Sequence, residues 1–258
     1  MKTVVATVLM LAGTAVAGPT FYAFQENTLH RVNADTSVDV FTLSGTMISS
    51  AVNSAGEIVG VEGRGQRPHN TYRLNDPLGS PSLVTTGQTM NPVNSLTFVG
   101  NRAFGFDNLT ADFVELDPVT LDQINNFGNL GFPGSVGIGY DSGSDTIYAI
   151  NRSTDELWAV DYHNATASLV GSLGVDIQNG GAEFFGGTLY LANQNLTTGF
   201  YEIGTVNVLT GAYTTLYQLG TFPDPNVQTQ FVSLSIIPAP GGVAVLGLAG
   251  LAAARRRR

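Results

Sequence analysis

Cysteine is absent from this chain of 258 residues, and lysine and tryptophan occur once each, at Lys2 and Trp158. The missing thiols exclude disulfides, thiolate metal sites and a cysteine nucleophile. Charged residues make up only 12% and hydrophobic residues 43%, which excludes a disordered chain. Eleven basic residues face 20 acidic ones, so a binder of nucleic-acid phosphates is excluded as well. No G-x-S-x-G elbow, P-loop or dinucleotide-binding glycine pattern is present.

The basic charge is concentrated at the ends. Residues 1–17 read as a secretory signal peptide, with Lys2, the apolar run Val4 to Ala12 and the cleavage site Ala15-Val16-Ala17. The mature chain is expected to begin near Gly18. Residues 238–258 comprise Pro238-Ala239-Pro240-Gly241-Gly242, the apolar stretch Val243 to Ala254, and Arg255, Arg256, Arg257 and Arg258. That stretch is shorter than the ~20 residues that span a bilayer comfortably. Residues 18–237 hold six arginines, no lysine and all 20 acids, a formal net charge of −14. Such a domain is disfavoured as a partner of nucleic acid or an anionic membrane.

The tail resembles the PEP-CTERM sorting signal of exported bacterial proteins, with Ala239 where that family has glutamate. The resemblance implies that an exosortase-type membrane protease cuts there and delivers the protein to the envelope, surface or medium. Contact with the membrane would be transient, through the tail alone. A plain uncleaved anchor is the alternative.

Residues 18–237 carry strand-and-turn chemistry without an amphipathic helix. A repeat runs through them. Aliphatic residues followed by Asn or Asp recur at Val32-Asn33, Leu74-Asn75, Leu116-Asp117, Val160-Asp161 and Val206-Asn207, spaced 42, 42, 44 and 46 residues apart. A second strand precedes each: Tyr22-Ala23-Phe24, Val59-Gly60-Val61, Phe104-Gly105-Phe106, Tyr148-Ala149-Ile150 and Tyr190-Leu191-Ala192. The small central residue is expected to let an adjacent sheet approach. Ser95–Phe98 and Ala182–Phe185 supply first strands, giving four strands per unit, the size of a propeller blade. The domain begins at a second strand, Phe21–Gln25, and ends at an orphan first strand, Phe231–Ile237. The expected fold is therefore an all-β propeller of five four-stranded blades, closed by pairing the two ends. The tyrosine-containing strand and V-D hairpin resemble secreted YVTN-type propellers. A pair of β-sandwiches or an open solenoid is the rival fold.

Candidate sites follow from that architecture. Glu183 is the acidic residue expected in a channel-lining first strand, for a cation or polar ligand; a solvated channel residue is the plain alternative. The loop Glu62 to His69 brings Arg64, Arg67 and His69 together in an acidic domain, a local positive contact for an acidic polysaccharide or a carboxylate. Trp158 is a packing residue or a sugar-stacking platform. Asp141 and Asp145 form half a calcium loop, lacking the remaining ligands calcium takes, or an ordinary hairpin turn. No other cofactor is implied, and His30, His69 and His163 have no metal-ligand spacing. The recurring Asn33, Asn75, Asp117, Asp161 and Asn207 read as turn residues bonding their own backbone. The expected function is non-catalytic binding of an extracellular polysaccharide or a surface protein. A glycosidase or lyase using channel carboxylates is the enzymatic alternative, and a matrix protein without a small ligand is a third reading.

Overall fold

A computed structural model describes residues 18–63, 67–132, 135–221 and 232–238. The expected signal peptide, Arg64, Ala239, Pro240 and Arg255–Arg258 lie outside the described residues, while Pro238 is exposed just beyond the last strand.

Alternating apolar residues broken by turns produce 20 strands in chain order, and no helix, among the described residues. The first three are β1 (Thr20–Gln25), β2 (Thr28–Val32) and β3 (Val38–Thr42). The next sheet is β4 (Met47–Val52), β5 (Ile58–Glu62), β6 (His69–Asn75) and β7 (Ser82–Thr89). Then come β8 (Val93–Val99), β9 (Arg102–Asp107), β10 (Phe113–Leu116) and β11 (Gln123–Gly128). The fourth sheet is β12 (Gly137–Asp141), β13 (Thr146–Asn151), β14 (Glu156–Asp161) and β15 (Thr166–Ser172). The fifth is β16 (Ile177–Phe185), β17 (Thr188–Asn195), β18 (Phe200–Val206) and β19 (Tyr213–Thr221), and β20 (Val232–Ile237) returns to the first. Blade 1 has the order β20-β1-β2-β3, and blades 2 to 5 are the four uninterrupted meanders.

The protein is thus a five-bladed β-propeller, closed as its terminal strands lead one to expect. β20 runs antiparallel to β1 with Phe21 opposite Ile236 and Ala23 opposite Leu234. The inner strands β20, β4, β8, β12 and β16 touch in a ring. Five buried apolar clusters fill the spaces between successive blades, so every blade covers the faces of its neighbours. Between blades 3 and 4 this core is aromatic, built on Phe104, Phe106, Phe113 and Phe132.

The hairpins show how sequence sets this geometry. Asp117 Oδ1 accepts from the N–H groups of Val119 and Thr120, each at 2.8 Å, and Leu121 follows with a positive φ. Asp161 and Asn207 accept in the same way from His163 and Leu209. Asn33 departs, donating its amide to Ser37 and Asp39, and Asn75 passes the role to Asp76. The same device recurs at the end of the second strands, at Asp107, Asn151 and Asn195. This explains why N-x-[ST] triplets recur at Asn108, Asn151, Asn164 and Asn195: they belong to turns.

Of the small residues at the centre of the second strands, Ala23 and Ala149 pack in the cores between neighbouring blades as expected, but Gly60 and Gly105 serve a different purpose. A Cβ on Gly60 would lie 2.2 Å from Ser49 O, and one on Gly105 2.6 Å from Ser95 O. Both partners belong to the inner strand of the same blade, where it bulges between Met47 and Ser49 or between Val93 and Ser95. The glycines make room for that bulge, not for the next sheet.

Candidate functional site

The inner strands run side by side in one direction, so the channel has an N-terminal and a C-terminal mouth. Its middle is nearly closed. A Cβ on Gly137 would meet Ala182 N at 2.6 Å, and one on Gly181 would meet Ser233 Cα at 2.4 Å. Neighbouring inner strands approach this closely only because those positions lack side chains. What remains is a void of about 10 Å³ lined mainly by Ser49, Ser50, Ser95, Ser233 and small or aliphatic residues. Ser235 donates to Ser50 Oγ at 2.9 Å, and Ser50 donates to Ser233 Oγ at 3.1 Å. These buried hydroxyls tie β20 to β4.

Glu183 lies toward the C-terminal end of β16, near the backbone of Val52 at the end of β4, on the far side of the ring. The residue keeps an intermediate accessible surface. Desolvation pushes its pKa well above the usual carboxylate range, and the Val52 backbone offsets part of that rise. Asp141 also belongs to an inner strand, as the last residue of β12, but it turns onto its own hairpin. Its carboxylate accepts from Gly143 N at 2.8 Å and Ser144 Oγ at 2.7 Å.

Asp145 points elsewhere. It accepts from Tyr140 OH at 2.8 Å and Tyr162 OH at 2.7 Å, and pairs with His163 Nε2 at 3.1 Å. These hydrogen bonds, Tyr162 first, lower its pKa to about 2. With Ser144, Asp161 and His163 it lines a shallow depression of about 420 Å³. Asp141 and Asp145 therefore serve separate hydrogen-bond sets. Among the described residues no group of three or more His, Asp or Glu side chains is placed to hold a metal ion. Trp158 stacks on Phe132 with ring centroids 5.0 Å apart and donates Nε1–H to Glu156 at 3.2 Å. It packs against the core between blades 3 and 4.

The N-terminal mouth is more open. A pocket of about 190 Å³ is lined by Ile48, Asn94, Asn108, Val136, Arg152, Asn179, Gly180 and Val232. The inner strands supply the floor, and the turns after β9 and β13 supply Asn108 and Arg152. Of the basic segment noted in the sequence, the described ends, Gly63 after β5 and Arg67 before β6, lie on this same face. Gly63 presses on Ile48: a Cβ there would overlap Ile48 Cγ2. Arg67 is exposed, and His69 is buried at the start of β6 with Nδ1 unbonded. The structure thus places Arg67, His69 and the mouth on one face, and Glu183 toward the other. Sequence reasoning missed Arg152, Asn94, Asn108 and Asn179.

Comparisons with known proteins agree on architecture. A chain of a nidogen/laminin complex superimposes with a TM-score of 0.54 at 10% identity, over 85% of this chain and 98% of that one. A structural genomics protein of unknown function from Bacteroides thetaiotaomicron matches with a TM-score of 0.50 at 14% identity, over 75% of this chain and 57% of that one. At these identities the likeness is one of fold. No protein-family model matches the chain, and no curated protein matches it.

Proposed function

We propose that this chain is an exported, non-catalytic β-propeller that binds an extracellular polysaccharide or a surface protein outside the cell. The observation that carries the non-catalytic reading is the channel lining. It is serine, glycine and aliphatic in its middle, with Glu183 near one end. A glycosidase generally needs two carboxylates about 5–10 Å apart. Asp141, the other acid in an inner strand, is bonded into its own turn. The open, donor-rich mouth favours a polysaccharide. The likeness in fold to a chain of a nidogen/laminin complex favours the second reading, a protein partner.

Export rests on the two ends of the sequence, where Lys2 and Ala15-Val16-Ala17 precede the propeller and Pro238-Ala239-Pro240 and Arg255–Arg258 follow it. An exosortase-like protease is the processing partner that the tail resemblance implies, and the loose likeness of the blades to YVTN-type propellers fits a secreted protein.

Two measurements test this. Mass spectrometry of the exported protein is expected to find a chain starting near Gly18 and lacking Arg255–Arg258; an intact tail overturns the sorting reading. Incubation with arrayed extracellular polysaccharides is expected to give binding without shorter or unsaturated products. Turnover of any of them overturns the non-catalytic reading.

A further inference from the structure

We propose that the N-terminal mouth is a sugar-acid site, in which Arg152 binds the carboxylate of a uronic acid residue and Asn94, Asn108 and Asn179 bind its hydroxyls. The proposal rests on the propeller being a binding module, but not on its export.

Arg152 is the anchor. Arg31, Arg73 and Arg102 each hold a carboxylate, at 2.7, 3.0 and 2.7 Å. Among the described residues Arg152 has no carboxylate partner and makes one side-chain hydrogen bond, from Nη1 to Asn179 Oδ1 at 3.0 Å. Asp155 in the same turn and Asp107 at the end of β9 are engaged by backbone N–H groups. Asp155 accepts from Ile177 N at 2.9 Å, and Asp107 accepts from Leu109 N and Thr110 N at 2.7 and 2.9 Å. A guanidinium held at one nitrogen and free at the others presents the fork that matches a carboxylate.

Asn179 supplies the second, independent observation. It is 4% exposed, lines the pocket, and its Nδ2 has no partner. The amide orientation is fixed by chemistry, because Arg152 can only donate and so must face Oδ1. A buried amide donor is therefore left for an acceptor in the pocket. Leaving such a group unmatched is costly, which suits a site completed by its ligand.

The rest of the lining selects among carboxylates. Asn94 and Asn108 each offer a donor and an acceptor side by side, the pattern that adjacent sugar hydroxyls satisfy. An acidic protein side chain would use Arg152 and leave these amides idle. The volume, about 190 Å³, falls below that of sites for drug-sized ligands and suits a single sugar ring. The domain's net negative charge opposes a polyanion at long range. That opposition is screened beyond about 8 Å at physiological ionic strength, whereas the Arg152 contact is not.

The test is calorimetric titration of the full chain with sodium glucuronate and sodium galacturonate, beside glucose, glucuronamide and a short poly-glutamate peptide. Saturable binding of at least one sugar acid is expected, at least tenfold tighter than glucose or glucuronamide. Arg152→Gln is expected to weaken it at least tenfold and Asn179→Ala several-fold. Should a variant fail to fold, the comparison of acid with amide on the native chain makes the same discrimination. Absence of sugar-acid binding, equal binding of the neutral sugars, retained binding in a folded Arg152→Gln, or binding of the peptide alone overturns the proposal. A polysaccharide bound on the array whatever stands at position 152 overturns this site and leaves the binding-module reading standing.

Discussion

Leu234 on the last strand sits opposite Ala23 on the first, and this antiparallel pairing joins the two ends of the propeller into one blade. Leu234 is 1% exposed and belongs to the cluster between blades 5 and 1, with Phe21, Ala192 and Ile203. Leu234→Ala should therefore cost about 2–5 kcal/mol, the range for emptying a buried leucine site. Leu209, 84% exposed in a turn, is the control, and Leu209→Ala should stay within about 0.5 kcal/mol of the native protein. Urea unfolding followed by circular dichroism measures both. Equal effects at the two positions would contradict the closed ring.

Deleting residues 232–237 goes further. β1 would become an unpaired inner edge, and unpaired edges recruit other chains. The truncated protein is expected to elute as oligomers or aggregate, with size-exclusion chromatography as the readout. A stable monomer would mean that the seam contributes little.

Glu183 gives a pH signature. Burial raises its pKa in the folded state above the value it has unfolded. Below the ordinary carboxylate range both states are protonated and the group contributes nothing. As pH rises through that range the unfolded chain loses the proton first, so stability falls until the raised pKa is passed. Glu183→Gln removes the penalty. It should melt higher than the native protein at pH 7. Near pH 3.5 the two should converge. A gap that is constant with pH would show that the carboxyl is not the cause.

The architecture was legible because the same physics is written five times. Each blade needs an aliphatic pair, a turn acid or amide, and a return strand, so the period survives where individual residues differ. Closure was legible because Phe21–Gln25 lacks a first strand and Phe231–Ile237 has no successor. The mouth was not. Asn94, Asn108, Arg152 and Asn179 come from four separate places in the chain, and only the ring brings them together. Arg152 stands in a run of turn residues, and nothing in the sequence says that its guanidinium meets no carboxylate among the described residues. The setting of Glu183 was hidden for a related reason. How far the channel closes depends on Gly137 and Gly181 meeting Ala182 and Ser233 on neighbouring strands, a relation invisible in any one blade.

That closeness is itself testable at Gly181. An added methyl group would lie 2.4 Å from Ser233 Cα and 2.6 Å from Leu234 N, both backbone atoms that cannot rotate away. Gly181→Ala should therefore destabilise by about 1–3 kcal/mol, the cost of overpacking, despite adding the smallest side chain. Gly18, where an added Cβ would meet no atom within 4 Å and φ is not positive, is the matched control. Thermal melts of Gly181→Ala and Gly18→Ala measure the difference, and a neutral Gly181→Ala would mean that the inner ring is looser than its geometry.

Asp145 predicts acid behaviour opposite in sign to Glu183. Hydrogen bonds from Tyr162, Tyr140 and His163 hold its pKa at about 2. An acid whose folded pKa is depressed contributes stability that is fully present above its unfolded pKa. That contribution is lost as pH falls through the ordinary carboxylate range toward 2. Asp145→Asn keeps an acceptor oxygen but loses the charge, so it should lower the melting temperature at pH 6 and leave it nearly unchanged near pH 2. His163→Gln tests the share of the histidine, whose imidazole is 3.1 Å away and charged only when protonated. If Tyr140 and Tyr162 carry most of the effect, as the order of their influence requires, His163→Gln should shift the Asp145 titration less than Tyr162→Phe does. Carboxyl chemical shifts followed by NMR from pH 1.5 to 6 report that titration directly, and a larger shift in His163→Gln would reverse the assignment.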